Sequence, residues 1–134
     1  MTDFVSDLVI RIKNGQKARL PAVSMPSFFP KKYLPILHIL YIEGYIRGHK
    51  ECWDPLLKQN IIIVDLKYRT KGEAVIENIF RISTPGRPIF SAAKTLWSLK
   101  NGKGIFILST TKGFLVDRTA RFLNLGGEVL FGIY

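Results

Sequence analysis

The chain has 134 residues, 47% hydrophobic and 22% charged, which fits one compact domain or two very small ones packed together. That mix excludes a disordered tail, a collagen-like repeat and a disulfide scaffold. Lys and Arg number 20 against 10 Asp and Glu, a net charge of +10, and so large a surplus on so short a chain points to a polyanion as partner.

Residues 2 to 14 read as an amphipathic helix, with Phe4, Val5, Leu8, Val9 and Ile12 at helical spacing. Thr2 and Asp3 offer capping oxygens, and Asn14-Gly15 is expected to stop it. Leu20 to Met25 is a short extended piece between Pro21 and Pro26. Pro35 cannot sit deep in a helix, so the second helix begins around 31 to 35 and ends at Gly44. Tyr45 to His49 reads as a strand, Lys50 to Gln59 as a polar loop, and Asn60 to Tyr68 as a strong strand. After a turn at Lys71-Gly72, Ala74 to Ser83 reads as a strand. One face carries Ile76, Asn78, Phe80 and Ile82; the other carries Val75, Glu77, Ile79 and Arg81.

Thr84-Pro-Gly-Arg-Pro88 is the clearest hinge, and the domain boundary is expected just before it, dividing 1–83 from 84–134. Beyond it come a strand at Ile89 to Ala92, a helical turn at Lys94 to Leu99 and a loop at Lys100 to Gly104. Then follow a strand at Ile105 to Leu108, a turn at Ser109 to Gly113, a helix at Asp117 to Asn124 ended by Gly126-Gly127, and a strand at Glu128 to Tyr134. The mixed order argues for an α+β fold.

Cys52 is the only cysteine, so no internal disulfide forms, and it has no companions at metal-ligand spacing. Beside Trp53 in the expected loop it reads as inert, in a reducing compartment. His38 reads as a packed helix histidine and His49 as a solvated strand end, neither supported as a catalytic base. Asp117 reads as a helix cap and Glu128 as a strand start, and no phosphate-cradling glycine motif is present. No enzyme, no cofactor and no metal are expected. The apolar run Ile61 to Val64 is far too short to span a membrane. The first seven residues carry Asp3 and Asp7 and no basic stretch ahead of an apolar one, unlike a secretory signal or transit peptide. A protein of an organelle would then be made there, or its presequence is absent from this chain.

The basic residues number eight in 1–50, eight in 51–100 and four in 101–134, so a folded face, not a basic tail, would do the binding. Ser109-Thr-Thr-Lys-Gly113 is the most informative stretch: three hydroxyls, a cation and a glycine after an apolar strand. Such a loop tip offers donors and acceptors to 2′-hydroxyls, base edges and phosphates, although an ordinary polar turn fits these residues about equally well.

Ile107-Leu-Ser-Thr-Thr-Lys-Gly-Phe-Leu-Val-Asp-Arg-Thr-Ala-Arg121 followed by Asn124-Leu-Gly-Gly-Glu-Val-Leu130 resembles the C-terminal signature of the small-subunit ribosomal protein eight family, bacterial and organellar type. Asp7 to Gly15, Val23 to Ser27, Glu43 to Ile46, Leu66 to Tyr68 and Ile82 to Pro88 resemble further family segments in order, covering nearly the whole chain. The resemblance implies two small packed domains, N-terminal α-β-α-β-β and C-terminal mainly β with a short helix, and no catalysis. It implies binding to the central domain of small-subunit rRNA, with neighbouring small-subunit proteins, protein five among them, as further partners. No membrane and no obligate homo-oligomer are expected.

Carried over residue by residue, the resemblance nominates Ser109, Thr110, Thr111, Lys112 and Gly113. It adds Arg87 and Pro88 of the linker, Gly126, Gly127 and Glu128, and in the N-terminal domain Arg11, Asn14, Ser27, Lys31 and Lys32. Four departures stand out: Ile10 for a usual Thr, Val116 for a usual Thr, Thr111 for a frequent Ser, and Phe28-Phe-Pro-Lys-Lys32, two residues longer than usual after Pro26-Ser27. Phe28, Phe29, Trp53 and Trp97 read as exposed or loop-borne, with core packing and protein contacts about equally favoured. Abundant Phe, Ile and Lys suggest a mitochondrial genome and hence the mitochondrial matrix; the alternative is a bacterial cytoplasm. The rival function is a non-ribosomal RNA-binding or translational-regulatory protein.

Overall fold

A computed structural model of the chain describes residues 3–25, 29–96 and 98–134. Eight strands and three helices make an α+β fold among these residues. The chain divides into two compact units, one of Asp7–Ile76 and one of Glu77–Tyr134 with the residues up to Ser6.

Helix α1 spans Phe4–Lys17. Its apolar stripe buries Val5, Leu8, Val9 and Ile12, and Asp3 caps it by accepting from the Ser6 N–H at 3.2 Å. The stop expected at Asn14-Gly15 does not occur. Gly15 lies within the helix, where a Cβ would meet Val23 Cγ1 at 2.3 Å, and the left-handed residue is Arg19 (φ 58°). The glycine therefore serves close packing, not termination.

The Asp7–Ile76 unit continues with β1 (Ala22–Met25), α2 (Leu34–Ile42), β2 (Ile46–Asp54) and β3 (Gln59–Leu66). The strands form an antiparallel sheet in the order β1-β3-β2. Pro35 lies in the first turn of α2, and Gly44 (φ 84°) follows its end, as expected. The strand expected to stop at His49 runs on to Asp54, pairing Lys50 with Ile63, Cys52 with Ile61 and Asp54 with Gln59. The expected polar loop shrinks to a turn in which Asp54 Oδ1 accepts from the Leu56 N–H at 2.9 Å and Lys58 is left-handed. Phe29 is buried, whereas Trp53 is exposed on this hairpin and Phe28 and Trp97 lie outside the described residues.

The second unit holds β4 (Ile79–Arg81), β5 (Phe90–Ser91), β6 (Ile105–Thr110), β7 (Gly113–Val116), α3 (Asp117–Leu123) and β8 (Gly127–Ile133). β8 is central: β6 lies on one side of it, with β7 beyond, and β4 and β5 pair with it. The division falls at Glu77 and not before Thr84, because β4 pairs with β8 from Ile79↔Ile133 to Arg81↔Phe131. Strand geometry in the expected Ala74–Ser83 run is confined to those three residues, apart from a Tyr68↔Ala74 bridge.

The Thr84–Arg87 segment is a tight turn inside this unit, closed by Arg87 N–H to Thr84 O at 3.0 Å. Leu96, Phe106, Leu108, Ala120 and Val129 form the core between the sheet and α3. The helical turn expected at Lys94 to Leu99 is a short 3-10 turn at Ala93–Thr95, and Lys100–Gly102 forms another.

Ion pairs at Arg81 and at Arg121, among the described residues, brace the unit. Arg81 reaches Asp3 at 3.3 Å, Ser6 Oγ at 3.2 Å and Leu130 O at 2.9 Å. Burial raises the Asp3 carboxyl, but bonds from Ser6 and the Arg81 charge outweigh it and hold the group below its ordinary range. Asp117 is not the expected helix cap. Val116 occupies the cap position, and Asp117 is buried, accepting from the Phe106 N–H at 3.3 Å and from Arg121 Nη2 at 2.9 Å. Left-handed Asn124 (φ 55°), ahead of the two glycines, ends α3.

Candidate nucleic-acid interface

The hydroxyl-rich stretch is narrower as a turn than expected. Ser109 and Thr110 are strand residues, paired with Phe114 and Gly113, so the tip is Thr111-Lys112. Gly113 has φ 95°, while Thr111 and Lys112 keep negative φ, the pattern of a turn followed by a left-handed glycine. Thr110 Oγ1 accepts from the Lys112 N–H at 3.1 Å and donates to Gly113 O at 2.8 Å, so this hydroxyl holds the turn. The Ser109 and Thr111 hydroxyls take no such bond among the described residues. The hairpin thus divides its hydroxyls: one shapes the loop and two can face a ligand.

Strand β8 sets the floor. Glu128 pairs with Ser109 across the sheet. A Cβ on Gly127 would lie 2.2 Å from Ser109 O, and one on Gly126 would lie 2.6 Å from Ser91 O. Both glycines are therefore packing residues that let β6 and β5 close on the chain entering β8. The Glu128 carboxylate accepts from Ser83 Oγ, and Ser83 Oγ in turn accepts from the Ile89 N–H at 3.0 Å. The Val129 N–H then donates to Ile89 O at 2.9 Å. These bonds hold the Arg87-Pro88 segment against the start of β8, so one end of the sheet gathers the hairpin, Gly126–Glu128 and the linker. Arg87 and Lys112 are exposed and carry no ion pair among the described residues.

Cross-strand partners project from the same face of a sheet. The pairs Ser109↔Glu128, Ser109↔Phe114 and Glu128↔Phe90 therefore place Phe114 and Phe90 on the face of Ser109. Phe90 is 70% exposed. Neither phenylalanine was nominated above; the alternation within Ile89–Ala92 and after Gly113 was the available signal. An exposed ring beside hydroxyls and cations suits stacking on an unpaired base.

The remaining nominees belong to the Asp7–Ile76 unit. Arg11 donates to Asp7 at 3.1 Å and to Ser24 O at 2.9 Å, so it ties α1 to β1, and Asn14 is exposed one turn on. Lys31 and Lys32 are exposed, Lys32 lying 5.1 Å from the centre of the Tyr33 ring. Ser27 lies outside the described residues.

A family model described as ribosomal protein S8 matches residues 3–134. The chain belongs to the ribosomal protein S8 family. Among its S8 relatives, the small ribosomal subunit protein uS8 of Erythrobacter litoralis is 43% identical over 134 residues, covering 100% of this chain and 98% of that protein. Those of Rhizorhabdus wittichii (41% over 134 residues; 100% and 98%) and a Bradyrhizobium strain (42% over 132 residues; 98% and 97%) are similar to the same extent. The relatives named here are bacterial.

Proposed function

We propose that the chain is a structural constituent of the small ribosomal subunit and that it binds the central domain of small-subunit rRNA through the end of the second unit's sheet. The ribosomal role follows from S8 membership over the whole chain, a family of structural and not catalytic proteins. The rRNA contact is carried by one observation: Ser109 and Thr111 present free hydroxyls on a turn whose shape is fixed by Thr110 and Gly113. A-form RNA offers 2′-hydroxyls and phosphates to such groups, and a preformed turn loses little freedom on binding. Lys112 and Arg87 supply attraction to phosphate, Phe90 a surface for a base, and Arg11, Asn14, Ser27, Lys31 and Lys32 a second contact on the other unit. Neighbouring small-subunit proteins, protein five among them, complete the proposed partners. A mitochondrial setting rests on composition alone.

The test separates the two kinds of contact. Thr111→Ala is expected to weaken binding to the rRNA helix by about 1 kcal/mol, roughly fivefold, with the salt slope unchanged. Lys112→Ala is expected to lower the slope by about one unit. Equal slope changes in the two variants would contradict the division of roles.

A further inference from the structure

The Asp7–Ile76 unit contains a cleft of about 340 Å³ lined by His38 and Tyr41 of α2 and by Arg47, Gly48 and His49 of β2. Neither histidine fits its expected role: His38 is exposed on its helix instead of packed, and His49 is half-buried within a strand that continues past it. The two elements bring both of the chain's histidines to one cavity with an arginine and a phenol.

We infer that this cleft is a binding site for a phosphate group, held by Arg47 and the imidazoles of His38 and His49. Four of the five lining residues carry side-chain hydrogen-bond donors, and no carboxylate is among them. Glu43 beyond the end of α2 and Glu51 further along β2 do not line it; Glu51 lines a separate cleft with Phe29, Lys31 and Asn60. A guanidinium beside two ionisable imidazoles is a chemistry that selects an anion with several acceptor oxygens. A metal is the poorer fit, because no third His, Cys, Asp or Glu joins the pair among the described residues.

The electrostatics point the same way. Burial, and then the positive charge of His38, hold His49 below the usual histidine range. An anion in a cleft that both histidines line offsets that repulsion, so binding and protonation reinforce one another. Affinity therefore rises as pH falls through the histidine range. The site goes beyond the rRNA reading and does not depend on it, since neither its residues nor its probe involves the β6–β7 hairpin.

The test is an NMR titration of the two imidazoles in the full chain from about pH 8 to about pH 5. Three arms are compared at equal ionic strength: chloride, inorganic phosphate and a short single-stranded RNA. Phosphate is expected to raise the His49 midpoint by about one unit over chloride, equivalent to roughly tenfold tighter binding by the protonated form. Arg47→Ala, a change at an exposed side chain, is expected to abolish most of that rise. The same rise with RNA would support a phosphodiester as occupant, and a rise with phosphate alone would support a small free phosphate. Equal midpoints in all three arms, or an unchanged rise in Arg47→Ala, would overturn the proposal.

Discussion

Gly127→Ala is expected to destabilise the Glu77–Tyr134 unit by about 3 kcal/mol, at the upper end of what an overpacked position costs. The new Cβ would stand 2.2 Å from Ser109 O and 3.0 Å from Ser109 C, and both are backbone atoms that no rotamer change can move. Relief requires β6 and β8 to part at Ser109↔Glu128, the pair beneath the hydroxyl hairpin. Stability and RNA affinity should fall together. Gly113→Ala provides the contrast: nothing lies within 4 Å of its Cβ, so only the φ of 95° resists, at about 1–2 kcal/mol. Urea unfolding followed by amide signals of β6 and β8 reads both values. A Gly127→Ala midpoint within error of the parent would contradict the close approach.

Asp117→Ala is expected to cost about 2–3 kcal/mol. The carboxylate is 1% exposed and serves two donors, the Phe106 N–H and the Arg121 guanidinium. Truncation removes the carboxylate to which both the buried Phe106 N–H and the partly buried Arg121 guanidinium donate, a loss of the kind that makes broken buried pairs expensive. Arg121 keeps 29% exposure and a bond to Leu96 O, so water offsets part of the loss and the cost stays below that of a fully buried pair. Asp117→Asn keeps an acceptor for Phe106 and should lose roughly half as much. Equal stability of Asp117→Ala and the parent, by the same unfolding measurement, would mean that this carboxylate does not tie α3 to β6.

Much of this architecture can be read from residue order, and the exceptions have specific causes. α1 is legible because one helical stripe is apolar, and α2 because Pro35 and Gly44 mark its limits. The far half of β2 is not, because Lys50, Glu51, Cys52 and Trp53 are all exposed and no alternation marks them as a strand. The Thr84–Pro88 cluster has the composition of a linker, and only the pairing of β4 and β5 with β8 makes it a tight turn inside one unit. Asp117 stands at the first position of a helix, where a cap is the natural reading; its burial depends on β6, eleven residues earlier, and no local pattern carries that. The candidate interface is legible as residue types in Ser109–Gly113, but the inward use of Thr110 and the placing of Phe90 depend on strand register.

We propose that specificity for small-subunit rRNA lies in this hairpin, while the charge of +10 supplies general attraction. A salt-titrated binding assay on the central-domain rRNA helix and on a scrambled RNA of equal length separates the two contributions. With about six phosphates contacted, affinity for the rRNA helix should fall by roughly 10³ between about 50 and about 200 mM salt, and its margin over the scrambled RNA should persist throughout. Equal affinity for the two RNAs at every salt concentration would contradict the account.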